Sequence, residues 1–133
     1  MRGRALLVVP LLALAACDSG SRKLAGDYRL RQGFMRSAAQ KIDTVYSLWN
    51  TARPENEAGW SGNVVRIGWS GRAIVVLRAA PPTSYGHPAG WTVIDVGSRK
   101  ESPVLTDAQF QQHRDSAQLT TYRADSAWTR LHR

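Results

Sequence analysis

Hydrophobic and polar residues alternate along two segments in the first half of the chain. In Asp27–Arg31, Tyr28 and Leu30 fall on one side and the arginines on the other. A second alternating run covers Ile42–Trp49. Alternation with a period of two is typical of a strand that packs one face on a core and leaves the other in water. Both segments are therefore predicted to be strands of an antiparallel sheet.

The middle of the chain carries the strongest strand pattern. Asn63–Trp69 alternates, with Val65 on its apolar face, and Arg72–Ala79 contains an unbroken apolar run. A continuous run rich in β-branched residues is typical of a central strand that is covered on both faces. Ser70–Gly71 has the composition of a two-residue hairpin connection between them. Gly90–Val96 alternates again and is predicted to be a further strand.

The pattern changes to a helical period after residue 97. Thr106 and Gln109 fit a capping box, which predicts a helix from Asp107 to about Leu119. A final helix is indicated by apolar residues at i, i+3, i+4 and i+7: Ala124, Ala127, Trp128 and Leu131. The predicted fold class is α+β: a mainly antiparallel sheet of about five strands, followed by a C-terminal helical pair packed on one face.

Two long segments interrupt the strands and have the composition of exposed loops. Thr51–Gly62 and Ala80–Gly90 are rich in proline, glycine and polar residues. Trp60 and Tyr85 lie within them, where a loop aromatic has no obvious core to join. Exposed aromatic side chains can stack on sugars or anchor a protein partner. Trp60 and Tyr85 are therefore candidate partner-binding residues, with capping of the sheet end as the alternative.

The first 17 residues have the organisation of an export signal. Arg2 and Arg4 precede an apolar run, Ala5–Ala16, of about 12 residues, which is shorter than the roughly 20 needed to span a membrane. The run ends in Leu14–Cys17, Leu-Ala-Ala-Cys, a small-residue cleavage site followed by cysteine. This segment resembles bacterial lipoprotein precursors. The resemblance implies cleavage between Ala16 and Cys17, diacylglycerol on the Cys17 thiol, and usually acylation of the new amino terminus.

On this interpretation the chain divides into three parts: a signal peptide (1–16), a lipidated tether (17–25) and one α+β domain (26–133). The tether is rich in serine and glycine, which predicts flexibility. Asp18 follows the modified cysteine, and an aspartate there resembles the retention signal of enterobacterial inner-membrane lipoproteins. The expected location is the cell envelope, anchored by lipid, with the inner membrane facing the periplasm favoured over the outer membrane.

Charge and cysteine content limit the partners. The chain carries a net charge of +8, of which Arg2 and Arg4 supply two, and it contains one cysteine. A mature domain whose only cysteine carries lipid has no disulfide, so packing must stabilise it. A basic domain is attracted to anionic head groups. Nucleic acid is not an expected partner of an exported protein, which leaves the membrane and an envelope protein or glycan.

Catalytic and metal-binding patterns do not emerge from the sequence. Gly-Trp-Ser-Gly occurs at 59–62 and 68–71, but each copy lacks the final glycine of a nucleophile elbow, which favours two turns preceding strands. His87, His113 and His132 are too widely spaced for a metal site on one element. We therefore expect no catalytic residue, no metal and no cofactor.

The mature chain also resembles a family of small uncharacterised bacterial lipoproteins. The similarity rests on Gly26–Leu30 (Gly-Asp-Tyr-Arg-Leu) and on strand-and-turn patterns between Val64 and Phe110. It implies a fold and a location, but no activity. The favoured function is a non-enzymatic binding or accessory domain on a membrane anchor. The alternatives are an inhibitor of an exported hydrolase, similar to lysozyme inhibitors, and a small hydrolase.

Overall fold

The computed structural model describes residues 20–36, 39–53, 62–81, 87–113, 116 and 118–131. Within these residues it contains antiparallel strands and helices in an α+β arrangement, which confirms the predicted fold class. The elements are β1 (Ser21–Ala25), β2 (Tyr28–Arg36), β3 (Ile42–Asn50), β4 (Val64–Trp69), β5 (Ala73–Arg78), β6 (Gly90–Asp95), α1 (Asp107–Gln111), β7 (Tyr122–Arg123) and α2 (Ala124–Arg130).

The strands form two antiparallel sheets rather than one. A three-stranded sheet has the order β1-β2-β3, and a four-stranded sheet has the order β6-β5-β4-β7. β5 is an internal strand, as its continuous apolar run predicts. The five strands predicted from the sequence are β2 to β6; the short β1 and β7 are additional. Alternation reveals the faces of a strand but not its partners, and the long connection from β3 to β4 lets the chain begin a second sheet.

Part of the predicted flexible tether, residues 21–25, is a strand in the structure. Ser21–Ala25 forms β1, which pairs with β2 from Ser21↔Arg31 to Ala25↔Tyr28. Leu24 and Ala25 are buried in the core. The Arg29 side chain also donates to the Ser21 hydroxyl and carbonyl, at 2.8 and 3.1 Å. The serine and glycine content of residues 18–25 concealed a strand whose pairing partner supplies its order.

The main core lies between the two sheets and is closed by α2. Leu30 on β2, Ile67 on β4 and Ile74 on β5 are fully buried there. All four residues that predict the final helix are also buried in this core: Ala124, Ala127, Trp128 and Leu131. Residues that alternate inward from two sheets and one helix therefore meet in one hydrophobic cluster, which confirms the amphipathic pattern at the C-terminus.

The outer face of the second sheet has its own small core. The Trp91 ring stacks on Phe110 of α1 with centroids 4.1 Å apart, and both side chains pack with Val75. Thr106 forms the predicted capping box with Gln109 at the start of α1. The helix ends at Gln111, however, well short of Leu119. Phe110 is its one buried residue, and Leu119 packs against the same small core from outside α1.

Two local details of the β4–β5 hairpin differ from the prediction. A bulge between Val64 and Arg66 shifts the register of β4, so Val64 is buried and Val65 is exposed. An extra residue in one strand reverses the facing of those before it, which alternation cannot predict. The hairpin also closes one residue later than expected, since the Ser70 amide donates to the Ala73 carbonyl at 2.8 Å.

Candidate functional site

The residues singled out from the sequence for binding and lipid attachment lie outside the described residues. This holds for Ala16 and Cys17 at the lipobox and for Trp60 and Tyr85 in the two long loops. The chain on either side of those loops is described, and it shows where the loops leave the domain.

The ends of the two loops meet around one buried asparagine. Asn63 follows the first loop, and its Nδ2 donates at 2.9 Å to the carbonyl of Ala79, before the second loop, and at 2.9 Å to that of His87, after it. The neighbouring Gly62 amide donates to the Ser47 hydroxyl of β3 at 2.7 Å. Asn63 is 5% exposed. The segments that contain Trp60 and Tyr85 therefore start or end beside one another, at one end of the second sheet.

Arg78 lies at this same end and is almost completely buried. It is the last residue of β5, 4% exposed, and its Nη1 donates to the Thr92 hydroxyl of β6 at 3.2 Å. Its Nε has no hydrogen-bond partner among the described residues. Within the described part of the chain, no carboxylate forms an ion pair with its guanidinium. A buried arginine normally has such a partner, because isolating its charge from water is costly.

Two further buried polar atoms lack a hydrogen-bond partner among the described residues. One is the Oδ1 of Asn63, whose Nδ2 bonds to the carbonyl next to Arg78, and the other is the hydroxyl of Tyr28, which Glu101 influences as it does Arg78. Tyr28 is 1% exposed. We call Tyr28, Asn63, Arg78, Thr92 and Glu101 the Arg78 cluster. An unsatisfied buried polar group costs about 1–3 kcal/mol, and most folded proteins contain few of them. The unsatisfied atoms of Asn63 and Arg78 at the same end of β5 favour a site that a group from outside the chain completes.

Glu101 connects the members of the cluster electrostatically. Burial lowers the pKa of the Arg78 guanidinium, and the Glu101 carboxylate opposes that effect. Burial raises the pKa of the Tyr28 hydroxyl, and Glu101 raises it further, whereas Arg53 and Arg99 act in the opposite direction. Glu101 is itself exposed, whereas the other four members of the cluster are buried. Its negative charge offsets part of the cost of burying the Arg78 charge, although no ion pair joins these two side chains.

Glu101 belongs to the segment that connects β6 to α1, residues 96–106, and contacts with both sheets hold this segment in place. Glu101 forms an isolated bridge with Ile94 of β6, and two residues earlier Arg99 pairs with Asp27 at 2.6 Å. Asp27 occupies the turn between β1 and β2, so this ion pair joins the two sheets. Exposed ion pairs contribute at most about 1 kcal/mol. Its main effect is to fix the segment that carries Glu101 against the β1–β2 turn.

The sequence also raised a serine nucleophile and histidine metal ligands. Where the structure describes these residues, they fit a structural interpretation. The Ser70 hydroxyl accepts from the amides of Arg72 and Ala73, at 3.2 and 3.1 Å, which is a turn interaction. His113 is exposed beyond α1, and His132 lies outside the described residues. Among the described histidine, cysteine, aspartate and glutamate side chains, no group of three is arranged to hold a metal ion.

Two open grooves lie elsewhere on the surface. One, of about 410 Å³, is bordered by Gly71 and Asp95, and the other, of about 430 Å³, by Tyr46 and Arg123. Neither is lined by a buried polar atom that lacks a partner. The Arg78 cluster is therefore the better candidate for a binding site.

Comparisons with family models, with curated proteins and with solved structures find no match to this chain. Within the described residues, no helix is long and apolar enough to cross a membrane.

The pKa of His87 provides a test of the electrostatics around the cluster. Burial lowers this pKa, the Arg78 charge lowers it further, and Glu101 raises it. Since folding disfavours protonation, the contribution to stability is complete above the unfolded pKa of about 6.5 and is lost as the pH falls through the lower folded pKa. His87 is exposed overall, so a small effect is expected.

We expect the free energy of unfolding to fall more steeply with acidification, from about pH 7 to pH 5, in the wild type than in His87→Gln. Urea unfolding at a series of pH values measures both curves. Parallel curves would show that folding does not lower the pKa of His87.

Proposed function

We propose that the protein is a lipid-anchored envelope lipoprotein whose domain binds a partner without catalysing a reaction. The anchor is diacylglycerol on the thiol of Cys17, which becomes the N-terminal residue on cleavage after Ala16. The support for the anchor is the charge, length and small-residue box of the leader. The support for a binding role is the Arg78 cluster and its place between the ends of the two long loops.

The partner presents an anionic group, a carboxylate or a phosphate, to Arg78. The observation that carries this proposal is the buried Nε of Arg78, a charged donor without a partner in the part of the chain that the structure describes. Guanidinium groups bind such anions through two parallel hydrogen bonds, and the charge makes these bonds stronger than neutral ones. Trp60 and Tyr85 belong to loops that border this position, so they remain candidates for contacts with the rest of an envelope protein or glycan.

Thermal unfolding with two anionic probes tests the site. The midpoint of the wild type should rise with added acetate or inorganic phosphate at constant ionic strength, since a ligand that binds only the folded state stabilises it. Arg78→Met should lose this dependence. Arg72→Met is the matched control, because Arg72 is an exposed arginine before the same strand. Equal rises in the wild type and Arg78→Met would contradict anion binding at this site.

The same variants distinguish the other functions. Inhibition of an exported hydrolase such as lysozyme by the wild type, and not by Arg78→Met, would identify the partner as that enzyme. Turnover of ester or peptidoglycan substrates by the wild type would contradict the non-enzymatic proposal.

We further propose that the lipoprotein resides in the inner membrane and faces the periplasm. The support is Asp18, directly after the modified cysteine. Membrane fractionation of the native protein and of Asp18→Ser tests this location. Sedimentation of both forms with outer-membrane markers would contradict it.

A further inference from the structure

The hairpin formed by β2 and β3 extends beyond the core. The two strands pair along their whole length, from Tyr28↔Asn50 to Arg36↔Ile42. Tyr28, at the base of the hairpin, is buried, whereas Phe34 is 72% exposed and Ile42 is 58% exposed. The described residues at the outer end of this hairpin, 34–36 and 39–42, are called the hairpin tip below.

The two exposed apolar side chains share one face of the tip. Phe34 pairs with Thr44, and Ile42 pairs with Arg36, so Phe34 and Ile42 are diagonal neighbours across the strands. They continue the face that is buried further down at Leu30, because side chains two residues apart point the same way. The apolar face of the sheet therefore runs out past the core and ends in contact with solvent.

β1 begins on the side of the sheet that is nearer this tip. β1 is antiparallel to β2, and Ser21 pairs with Arg31. Going backward from Ser21 therefore follows the direction in which β2 runs from Arg31 to Phe34. Phe34 is three strand residues beyond Arg31, or about 10 Å. Cys17 precedes Ser21 by four residues, which span at most about 14 Å.

The sheet that carries the tip is basic. Six lysine and arginine residues lie between residues 20 and 50, against two aspartates: Arg22, Lys23, Arg29, Arg31, Arg36 and Lys41, against Asp27 and Asp43. Arg36 and Lys41 are at the tip itself. Each cation near an anionic membrane surface contributes about 1 kcal/mol to attraction. Apolar side chains flanked by cations suit the boundary between head groups and acyl chains.

We propose that the hairpin tip is a second membrane contact, in which Phe34 and Ile42 enter the interface of the anionic bilayer that holds the acylated Cys17. This inference rests on the proposed lipid attachment. Diacylglycerol already supplies two acyl chains, and the tip adds a protein contact beside that anchor. The contact also fixes the orientation: the β1–β2 turn at the other end of the sheet faces away from the membrane.

Depth-dependent quenching on the intact lipidated protein tests the contact. The only native cysteine is Cys17, so a new cysteine is the only free thiol when Cys17 is acylated. Ala39→Cys at the tip leaves Phe34 and Ile42 unchanged, and Ala52→Cys lies at the opposite end of the hairpin; both positions are exposed. Each is labelled with an environment-sensitive dye in vesicles of phosphatidylethanolamine and phosphatidylglycerol that contain nitroxide-labelled lipid.

We expect several-fold stronger quenching at residue 39 than at residue 52. Adding Phe34→Ser and Ile42→Ser should remove the difference while the protein stays bound through its lipid. Equal, weak quenching at both positions would overturn the proposal. So would a blue shift at residue 39 that disappears on dilution with lipid and is not quenched, because a second copy of the chain would then cover the tip.

The parent protein, without an added cysteine, separates this inference from the proposed anchor. Dye incorporation into the parent would show a free Cys17 thiol and would contradict lipid attachment. An unlabelled, membrane-bound parent together with weak quenching at residue 39 would contradict the tip contact alone.

Discussion

Cys17→Ser is expected to abolish incorporation of labelled palmitate and to leave the uncleaved precursor. A serine hydroxyl does not replace the thiol as the acceptor of diacylglycerol, and cleavage follows that modification in the lipoproteins that the leader resembles. Metabolic labelling and immunoprecipitation measure the effect, which should be complete rather than partial. Ser19→Ala, two residues further along, is the control and should be labelled normally. Normal labelling of Cys17→Ser would contradict the proposed anchor.

Leu30→Ala is expected to lower the free energy of unfolding by about 2–5 kcal/mol. Leu30 is fully buried between the two sheets, so truncation removes apolar contacts and leaves a cavity. Many small domains have only about 5–15 kcal/mol of stability, and the variant should therefore unfold at markedly lower urea concentration.

Phe34→Ala is the matched control for Leu30→Ala. Phe34 lies on the same strand and the same face, yet it is 72% exposed. Its truncation should change the free energy of unfolding by about 0.5 kcal/mol or less. Similar losses in the two variants would show that the core covers the outer half of the hairpin as well.

Several strands could be predicted because their alternation follows from burial of one face. Tyr28 and Leu30 are inward as expected, and the apolar run of β5 is covered on both sides. The inward position of Val65 was wrong because the bulge beside it depends on pairing between strands. β1 was missed because order in Ser21–Ala25 comes from its partner strand rather than from its own composition.

The candidate site could be predicted only in part. Composition identifies the two long loops but not that Asn63 brings their ends together, since that requires contacts between distant segments. Arg78 did leave a signal in the sequence. It follows Ile74 and Val76 at spacings of two, so the period of β5 predicts an arginine facing the core. A charged residue in the inward phase of a central strand marks either a structural ion pair or a binding site.

The central claim is that Arg78 serves a ligand rather than the fold, and its most direct test is the stability of Arg78→Met without ligand. Methionine keeps much of the side-chain volume and removes the buried charge, so we expect the free energy of unfolding to rise, even though the Thr92 hydroxyl loses its donor. Arg66→Met on the neighbouring strand is the control. The Arg66 guanidinium donates to the carbonyl and hydroxyl of Thr121, at 3.0 and 3.2 Å, and its loss should lower stability by about 1 kcal/mol.

Urea unfolding of the two variants and the wild type gives the answer as a difference in sign. The account predicts that Arg78→Met is more stable than the wild type and that Arg66→Met is less stable. A loss of stability in Arg78→Met as large as that in Arg66→Met, or larger, would show that Arg78 holds the fold together and would contradict its assignment to a binding site.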